Sequence, residues 1–186
     1  MGYAGGESPD PSYYNLGGHS ETIQIDYDPA AISYEKLLEI FWDGHDPTSR
    51  SWSRQYRNIL FYHTDEQKRL AEESRDRLAS ELKRRIVTEL LPFKGFYPAE
   101  DYHQKHALRG YPGLFEEFKI KYPRIGDLIS STAASRVNGY LGGYGTCDHL
   151  TSGINDLGLS ERGNRTLLDV VCKGTISKTC TAKGCY

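Results

Sequence analysis

Residues 58–91 read NILFYHTDEQKRLAEESRDRLASELKRRIVTELL and show the clearest change of period in the chain. Residues 58–62 form a short apolar, aromatic run that predicts a buried strand, and residues 86–91 predict another. Between them, Thr64 followed by Gln67 makes a capping box, which predicts the start of a helix. The inner face of that helix is formed by Ala71, Leu78 and Leu82. A strand, a helix and a strand in succession predict an α/β or α+β fold in which helices cover at least one face of a sheet.

The segments on the N-terminal side extend this pattern. Residues 22–27 alternate between apolar and polar side chains, which predicts a half-buried strand. Ser33 is a candidate N-cap for a helix. The apolar stripe of that helix consists of Leu37, Leu38, Phe41 and Trp42. Residues 1–11 are rich in glycine and proline, and this composition predicts a loop.

The organisation changes after residue 98. Residues 107–135 mix short apolar runs with closely spaced glycine and proline, which predicts short helices. Five of the eight residues in 138–145 are glycine or asparagine, and this segment is predicted to be a mobile arm. Residues 150–186 have few large apolar side chains and are predicted to be partly disordered. The sequence therefore predicts one domain, residues 1–149, followed by a cysteine-containing tail, residues 150–186.

Composition excludes several classes of function. The net charge is −2 and neither sign dominates a long stretch, so binding to nucleic acid or to an anionic membrane is not expected. No apolar run approaches the roughly 20 residues of a membrane span, and the first residues lack the pattern of a secretory signal. A cytoplasmic location is therefore expected. All four cysteines lie in the last 40 residues, which is not the distribution of a disulfide-rich secreted domain.

Short blocks of polar and aromatic residues recur along the first hundred positions. They are GYAGG (2–6), PSY (11–13), GHSE (18–21), YDP (27–29), ISYEKLL (32–38), FW (41–42), HDP (45–47), QYR (55–57) and FYPAEDYHQ (96–104). Taken singly, each has an ordinary structural interpretation, because tyrosines often cover a core with the hydroxyl outward and a histidine or aspartate beside proline often fixes a turn. Their order along the chain is what makes them informative.

In this order the blocks resemble the methionine sulfoxide reductase A family, and the match holds from residue 1 to about residue 104, with a weaker echo at residues 138–140. The resemblance implies an α/β (α+β) two-layer sandwich on a mixed sheet, here followed by an irregular C-terminal extension. It also implies an oxidoreductase that reduces methionine S-sulfoxide, in proteins or as the free amino acid, and so repairs proteins after oxidative stress.

The resemblance also implies roles for three side chains. In the family a cysteine thiolate attacks the sulfur of the sulfoxide, and a nearby acid polarises the oxygen. Glu21, the glutamate of GHSE, would be this acid, because a carboxyl group in an apolar, aromatic pocket keeps its proton. Tyr13 and Tyr56 match the two tyrosines whose hydroxyl groups point at the same oxygen. Without the resemblance, a surface position at a strand edge would be the simpler interpretation of Glu21.

Cofactors and partners follow from the same resemblance. No bound metal or organic cofactor is implied. The electrons would come from thioredoxin or a small dithiol, and the substrates would be oxidised proteins or methionine sulfoxide. A monomer is the expected state. His19, His45 and His103 lie in different predicted elements and are interpreted as structural histidines.

The chain departs from the family pattern in three places. The family's Gly-Cys-Phe-Trp motif, which carries the attacking cysteine and precedes GYAGG, does not occur in these 186 residues. Residues 48–54 replace a longer loop that carries an aspartate in the family. Leu141 occupies the position of a recycling cysteine in many members. We therefore expect a domain that is incomplete at its N-terminus and inactive alone, with a binding module for oxidised methionine as the alternative.

Cys147 follows a glycine-rich stretch and lies near the position of the family's second tail cysteine. A thiol in a mobile segment suits a recycling role, in which it attacks a sulfenic acid and the resulting disulfide is passed to a reductant. An ordinary exposed thiol is the equally weighted alternative. The spacings of Cys172, Cys180 and Cys185 fit neither a C-x-x-C redox pair nor a paired zinc knuckle, so no metal ligands are assigned, and a metal site is the weaker alternative.

Overall fold

The computed structural model describes residues 1–174 and divides the chain into two compact units, Met1–Glu100 and a second unit that begins at Asp101. The sequence pattern predicts a boundary after residue 149 instead. One buried cluster of the second unit contains residues from both sides of that position, including Leu108, Phe118 and Leu167. Because these side chains share a core, residues 150–174 belong to a folded unit and are not an irregular extension.

The first unit contains five strands and two helices. They are β1 (Gly2–Ala4), β2 (Ser20–Thr22), α1 (Tyr34–Asp43), β3 (Ile59–Tyr62), α2 (Asp65–Leu82), β4 (Glu89–Pro92) and β5 (Phe96–Pro98). An antiparallel sheet has the order β2-β1-β5, and β3 pairs with β4 in a separate parallel sheet. The predicted α+β class is confirmed, although the described strands form two small sheets where one mixed sheet was expected.

Strand β1 corrects the prediction of a loop over residues 1–11. Gly2 lies between Thr22 of β2 and Pro98 of β5. A Cβ atom at this position would lie only 2.3 Å from the carbonyl oxygen of Tyr97, so a larger residue would prevent this close pairing. Tyr3, the next residue, is only 1% exposed. The glycine-rich composition therefore reflects tight strand pairing rather than a turn.

Strand β2 is shorter than predicted. It ends at Thr22, which lies opposite Gly2, so residues 23–27 have no neighbouring strand in the described part of the chain. Ile23 is 70% exposed and Ile25 is 55% exposed. The alternation in residues 22–27 therefore does not correspond to a half-buried strand, because a strand requires a partner as well as a pattern.

The predicted strand–helix–strand unit is confirmed, with small shifts at its ends. Ile59 lies opposite Glu89 in the parallel pair of β3 and β4. The hydroxyl oxygen of Thr64 accepts a hydrogen bond from the main-chain N–H of Gln67 at 3.1 Å, and the side-chain oxygen of Gln67 accepts one from the N–H of His63 at 2.8 Å. The capping box thus begins α2, as the sequence predicted.

Helices α1 and α2 pack on the parallel sheet through a small core. The predicted N-cap Ser33 accepts a hydrogen bond from the N–H of Lys36 at 3.2 Å. The indole N–H of Trp42 donates to the hydroxyl group of Ser74 at 3.0 Å, which joins the two helices inside the core. The buried members of this core are Leu38, Trp42, Leu60 and Ala71.

His45 follows α1 and is held at both ring nitrogens. Nδ1 lies 2.9 Å from the carbonyl oxygen of Phe41, and Nε2 lies 2.8 Å from the hydroxyl group of Thr88. Because a carbonyl oxygen only accepts, Nδ1 carries the proton and Nε2 accepts from the hydroxyl group. Burial lowers the pKa of His45 below its ordinary value of 6.5, and the hydrogen bond to Phe41 and the nearby charge of Asp46 only partly oppose this effect.

We expect acid to destabilise the protein partly through His45. The folded-state pKa is lowered, so the unfolded chain binds the proton more tightly, and stability is lost as the pH falls through the ordinary value of 6.5. Urea unfolding measured on either side of this pH should show a loss of stability that is smaller in His45→Gln. An equal loss in both proteins would contradict this assignment.

The second unit is helical. Its elements are 3-10 turns at Asp101–His103 and Ile154–Leu157 and the helices α3 (His106–Arg109), α4 (Pro112–Lys121), α5 (Ile125–Ser130), α6 (Thr132–Leu141), α7 (Cys147–Ser152) and α8 (Glu161–Cys172). The short helices predicted in residues 107–135 are confirmed. No helix among residues 1–174 is long and apolar enough to cross a bilayer.

Two predictions in this unit are wrong for the described residues. The segment predicted to be a mobile arm, residues 138–145, begins inside α6, where Tyr140 and Leu141 are buried. The predicted tail contains α8, whose N-cap Ser160 accepts a hydrogen bond from the N–H of Gly163 at 3.1 Å. Burial of Tyr140 and Leu141 stabilises the end of α6, and the Ser160 cap stabilises the start of α8, although both segments contain few large apolar residues. The part of the predicted tail after residue 174 lies outside the described residues.

Candidate functional site

Glu21 lies in β2 and is bound twice by Gln55. The main-chain N–H of Glu21 donates to the carbonyl oxygen of Gln55 at 2.9 Å. The side-chain amide of Gln55 donates to Oε1 of Glu21 at 2.6 Å. Oε2 of Glu21 has no hydrogen-bond partner among residues 1–174. The carboxyl group is thus held at one oxygen and available at the other.

Tyr56 lies in the loop that contains Gln55. Buried Ser20 donates its hydroxyl proton to the carbonyl oxygen of Arg54 at 2.7 Å and accepts a hydrogen bond from Nε of Arg57 at 3.2 Å. A single serine therefore fixes both ends of the loop against β2. The ring of Tyr56 lies 5.6 Å from the ring of Trp52, which is 76% exposed.

Tyr13 lies in a tight turn that Glu100 anchors. Ser12 and Asn15 close the turn with two main-chain hydrogen bonds of 3.1 and 3.0 Å. The main-chain N–H of Tyr13 donates to Oε1 of Glu100 at 3.1 Å, and the hydroxyl group of Tyr3 donates to Oε2 at 2.6 Å. Glu100 therefore ties the Tyr13 turn to the central strand of the sheet.

One face of the antiparallel sheet connects these groups. Tyr3 lies opposite Glu21 on one side and opposite Tyr97 on the other, and directly opposed side chains project from the same face of a sheet. Glu21 and the Tyr3–Glu100 pair therefore share that face. Gln55, which binds Glu21, precedes Tyr56, and Glu100 binds the turn that contains Tyr13, so the residues that hold all three lie in the first unit. Their joint role stays a prediction.

Three residues around the predicted site were not singled out by sequence reasoning. Gln55, Tyr3 and Glu100 all lie within the blocks QYR, GYAGG and FYPAEDYHQ, but the blocks do not say which residues bind each other. A buried tyrosine and a partly buried glutamate 97 positions apart become partners only in the folded chain. The only feature of the sequence that points to Gln55, Tyr3 and Glu100 is that each lies in one of the family blocks.

Cys147 lies in the second unit and is not a free thiol in this structure. It forms a disulfide with Cys172, which joins the first residue of α7 to the last residue of α8. The cysteine spacing alone does not predict this pairing. The assignment of Cys147 as a recycling thiol stays a prediction, and Cys180 and Cys185 lie outside the described residues.

The arrangement of the first unit suits recognition of a polarised oxygen. A carboxyl group held at one oxygen by an amide presents the other in a fixed direction, and it can donate a hydrogen bond when it is protonated. Among residues 1–174 no group of three or more histidine, cysteine or acidic side chains is placed to hold a metal ion.

A model of the family described as peptide methionine sulfoxide reductase matches residues 1–122. A peptide methionine sulfoxide reductase from Drosophila melanogaster is 38% identical over 165 residues, which is 86% of this chain and 65% of the relative. One from Sulfolobus acidocaldarius is 43% identical over 133 residues, which is 64% of this chain and 76% of the relative. The chain thus spans about two thirds of the length of the Drosophila relative.

The chain is also similar to solved structures of methionine sulfoxide reductases. The reduced form of Mxr1 from Saccharomyces cerevisiae superposes with a TM-score of 0.55 at 32% sequence identity. That match covers 60% of this chain and 69% of the other. Methionine sulfoxide reductase A of Corynebacterium diphtheriae superposes with a TM-score of 0.50 at 29% identity, covering 60% of this chain and 62% of the other.

Proposed function

Because the chain belongs to the peptide methionine sulfoxide reductase family, we propose that its first unit recognises the oxygen of methionine S-sulfoxide for protein repair. The observation that carries this proposal is the hydrogen bond between Gln55 and Glu21, which leaves one carboxyl oxygen of Glu21 available. Tyr13 and Tyr56 would add hydroxyl groups directed at the same oxygen. Together they would stabilise negative charge that develops on the oxygen as the sulfur is attacked.

The proposed reaction is a transfer of oxygen to a thiol. The thiol sulfur attacks the sulfoxide sulfur and forms a sulfur–sulfur bond, and the protonated oxygen leaves as water. Water then attacks the former thiol sulfur, the sulfur–sulfur bond breaks, and the products are methionine and a sulfenic acid. A second thiol then displaces water from the sulfenic acid to form a disulfide, which a dithiol such as thioredoxin reduces. The role of Glu21 would be to supply a proton to the departing oxygen.

Cys147 is proposed to act in the recycling step. Its disulfide with Cys172 shows that the two sulfur atoms can bond, which a recycling cysteine must be able to do before a reductant acts. Cys172 is exposed, so a small dithiol or thioredoxin can approach that side of the bond.

The 186-residue chain by itself is proposed to bind methionine sulfoxide without reducing it. The observation that favours this second function is the position of the cysteines: none precedes residue 147, and Cys147 is bonded to Cys172. The first unit therefore contains the proposed groups that recognise oxygen but no sulfur nucleophile.

The test is turnover of peptides that carry methionine S-sulfoxide or its R epimer, with excess dithiothreitol. We expect no turnover of either epimer, but tighter binding of the S epimer by calorimetry. Turnover of the S epimer that is lost in Cys147→Ser would show that the tail thiol attacks the substrate and that the chain is an enzyme on its own. Equal or absent binding of both epimers by folded protein would contradict the proposed function.

Replacement of Glu21 should weaken binding of the S epimer. Glu21→Leu removes a hydrogen-bonding group that faces the sulfoxide oxygen, so we expect affinity to fall about tenfold. Gln55→Leu should have an effect in the same direction, because Glu21 then loses the donor that orients it. Glu35→Leu, a change of an exposed glutamate on α1, is the matched control and should leave affinity unchanged. Unchanged affinity in Glu21→Leu would remove this residue from the site.

Location and partners are part of the proposal. Its near-neutral net charge of −2 is compatible with a cytoplasmic monomer that meets oxidised proteins and thioredoxin. A role under oxidative stress would follow from this substrate, because methionine sulfoxide forms when methionine is oxidised. Sedimentation of the purified chain tests the monomeric state, and an increase in apparent mass with concentration would contradict it.

A further inference from the structure

A cavity in the second unit lies between the start of α4 and the first turns of α8. Its volume is about 440 Å³, within the range of about 300 to 1,000 Å³ that is typical of ligand pockets. Leu114 of α4 and Gly163 of α8 line the cavity and are buried, whereas Arg162 and Thr166 line it and are exposed. The cavity therefore combines buried wall with a polar rim that solvent can reach.

Glu117 holds together the two helices that form the cavity. It lies in α4, and its Oε2 and Oε1 accept hydrogen bonds from the main-chain N–H and the hydroxyl group of Ser160, the N-cap of α8, each at 2.7 Å. A Cβ atom at Gly163 would lie 2.7 Å from Oε1 of Glu117, so the glycine leaves room for this contact. Because the walls are held together before a ligand arrives, little ordering is needed on binding.

Two polar side chains of the lining are available to a ligand. Neither the guanidinium of Arg162 nor the hydroxyl group of Tyr111 has an ion-pair or hydrogen-bond partner among residues 1–174. Arg165 on the same helix, in contrast, pairs with Glu161 at 3.7 Å. Guanidinium groups bind carboxylates through two parallel N–H groups, and a tyrosine hydroxyl group can donate one more hydrogen bond. The available donors are thus complementary to a carboxylate.

The charges of the lining favour a ligand with a single negative charge. Among the described residues that line the cavity, Arg162 is the only basic one and Glu117 is the only acidic one. A dianion such as phosphate would be repelled by Glu117 more strongly than a monocarboxylate, with the same single cation to attract it. Pro112 and Leu114 supply apolar surface for a hydrocarbon body.

We infer that the cavity between α4 and α8 binds a small organic monocarboxylate, with its carboxylate on Arg162 and Tyr111 and its apolar body on Leu114. All three residues lie in the second unit, so this inference does not depend on the function proposed for the first unit.

The experiment adds benzoate to the folded, isotope-labelled chain and follows the main-chain amide signals of its glycines by NMR. Gly110, Gly113 and Gly163 line the cavity, whereas Gly126 and Gly139 belong to the same unit and do not line it. We expect saturable shifts of the first three signals with a dissociation constant of about 1 mM. Benzamide, which lacks the charge, and acetate, which lacks the apolar body, should bind about tenfold more weakly.

Two arginines on α8 separate a specific contact from general attraction. Arg162→Gln should weaken benzoate binding about tenfold and leave benzamide binding unchanged. Arg165→Gln removes an exposed charge on the same helix that does not line the cavity, and it is the matched control. Tyr111→Phe keeps the ring and removes only the hydroxyl group, so it should weaken benzoate binding about fivefold.

Three results would overturn the inference. One is the absence of shifts in the cavity glycines of folded protein at benzoate concentrations well above the expected dissociation constant. Another is equal binding of benzoate and benzamide, or an equal effect of Arg162→Gln and Arg165→Gln, since the carboxylate would then have no specific partner. The third is tighter binding of a short peptide that ends in phenylalanine, because a chain terminus would then replace the small free acid. None of these results changes the binding of methionine sulfoxide expected for the first unit.

Discussion

Phe118→Ala is expected to lower the free energy of unfolding of the second unit by about 3 to 5 kcal/mol. Phe118 lies in α4, is 1% exposed, and stacks on Tyr122 with ring centroids 6.4 Å apart. The loss combines the transfer energy of the buried ring with the cost of the cavity that alanine leaves. Urea unfolding followed by far-ultraviolet circular dichroism measures the change.

The control for this prediction lies on the same helix. Ile120 is 73% exposed, so Ile120→Ala should change the free energy of unfolding by no more than about 0.5 kcal/mol. If both substitutions have equally small effects, Phe118 does not occupy the core described for α4. Retention of the urea-dependence slope in both variants would show that they unfold over the same surface as the parent protein.

Reduction of the disulfide between Cys147 and Cys172 is expected to cost about 3 kcal/mol of stability. The two residues are 25 positions apart, so the bond removes a large share of the conformational freedom that the unfolded chain would have in this segment. Urea unfolding with and without an excess of a phosphine reductant, which reduces the disulfide, measures the effect. A Cys180→Ser, Cys185→Ser background prevents disulfide exchange.

A second variant distinguishes this effect from a general action of the reductant. In Cys147→Ser, Cys172→Ser the reductant should leave the unfolding midpoint unchanged. If thiol counting shows that the parent disulfide is fully reduced and the midpoint stays the same, the bond does not stabilise the second unit. The result also bears on recycling, because the reduced state is the one in which Cys147 carries a free thiol.

Helix starts were predicted correctly where a few neighbouring residues decide them. Ser33 caps α1, and the pair of Thr64 and Gln67 caps α2. These hydrogen bonds join residues three positions apart, so the sequence contains both partners within a single turn. The strand predicted at residues 58–62 was also found, because its apolar run is bounded by a clear change of pattern.

Strand predictions failed where a distant partner decides the outcome. Residues 22–27 have the pattern of a strand, but the sheet ends at Thr22 because Gly2 is its register partner. Residues 1–11 have the composition of a loop, but Gly2–Ala4 is the central strand because β2 and β5 flank it. Neither fact is present in the local pattern, since pairing is settled between segments far apart in the chain.

The candidate site was predicted in part. The family blocks point to Glu21, Tyr13 and Tyr56; the structure places Glu21 in β2 beside Gln55 and anchors the turn of Tyr13 through Glu100. The roles of these residues stay predictions. The blocks did not identify Gln55 and Glu100 as the residues that hold them, because a block records residue types and not the contacts between side chains.

The sequence by itself determined the family, the α+β class and the helix caps, because these depend on local chemistry and on the order of short blocks. The oxygen-recognising role of Glu21, Tyr13 and Tyr56 stays a prediction. Only the tertiary structure decided the central position of β1, the anchoring of the Tyr13 turn by Glu100, and the bond between Cys147 and Cys172. These features join residues between 16 and 97 positions apart. Forming such a contact costs conformational entropy, because the chain between the two residues must close a loop. Which residues become partners therefore depends on the segments that the rest of the fold brings together.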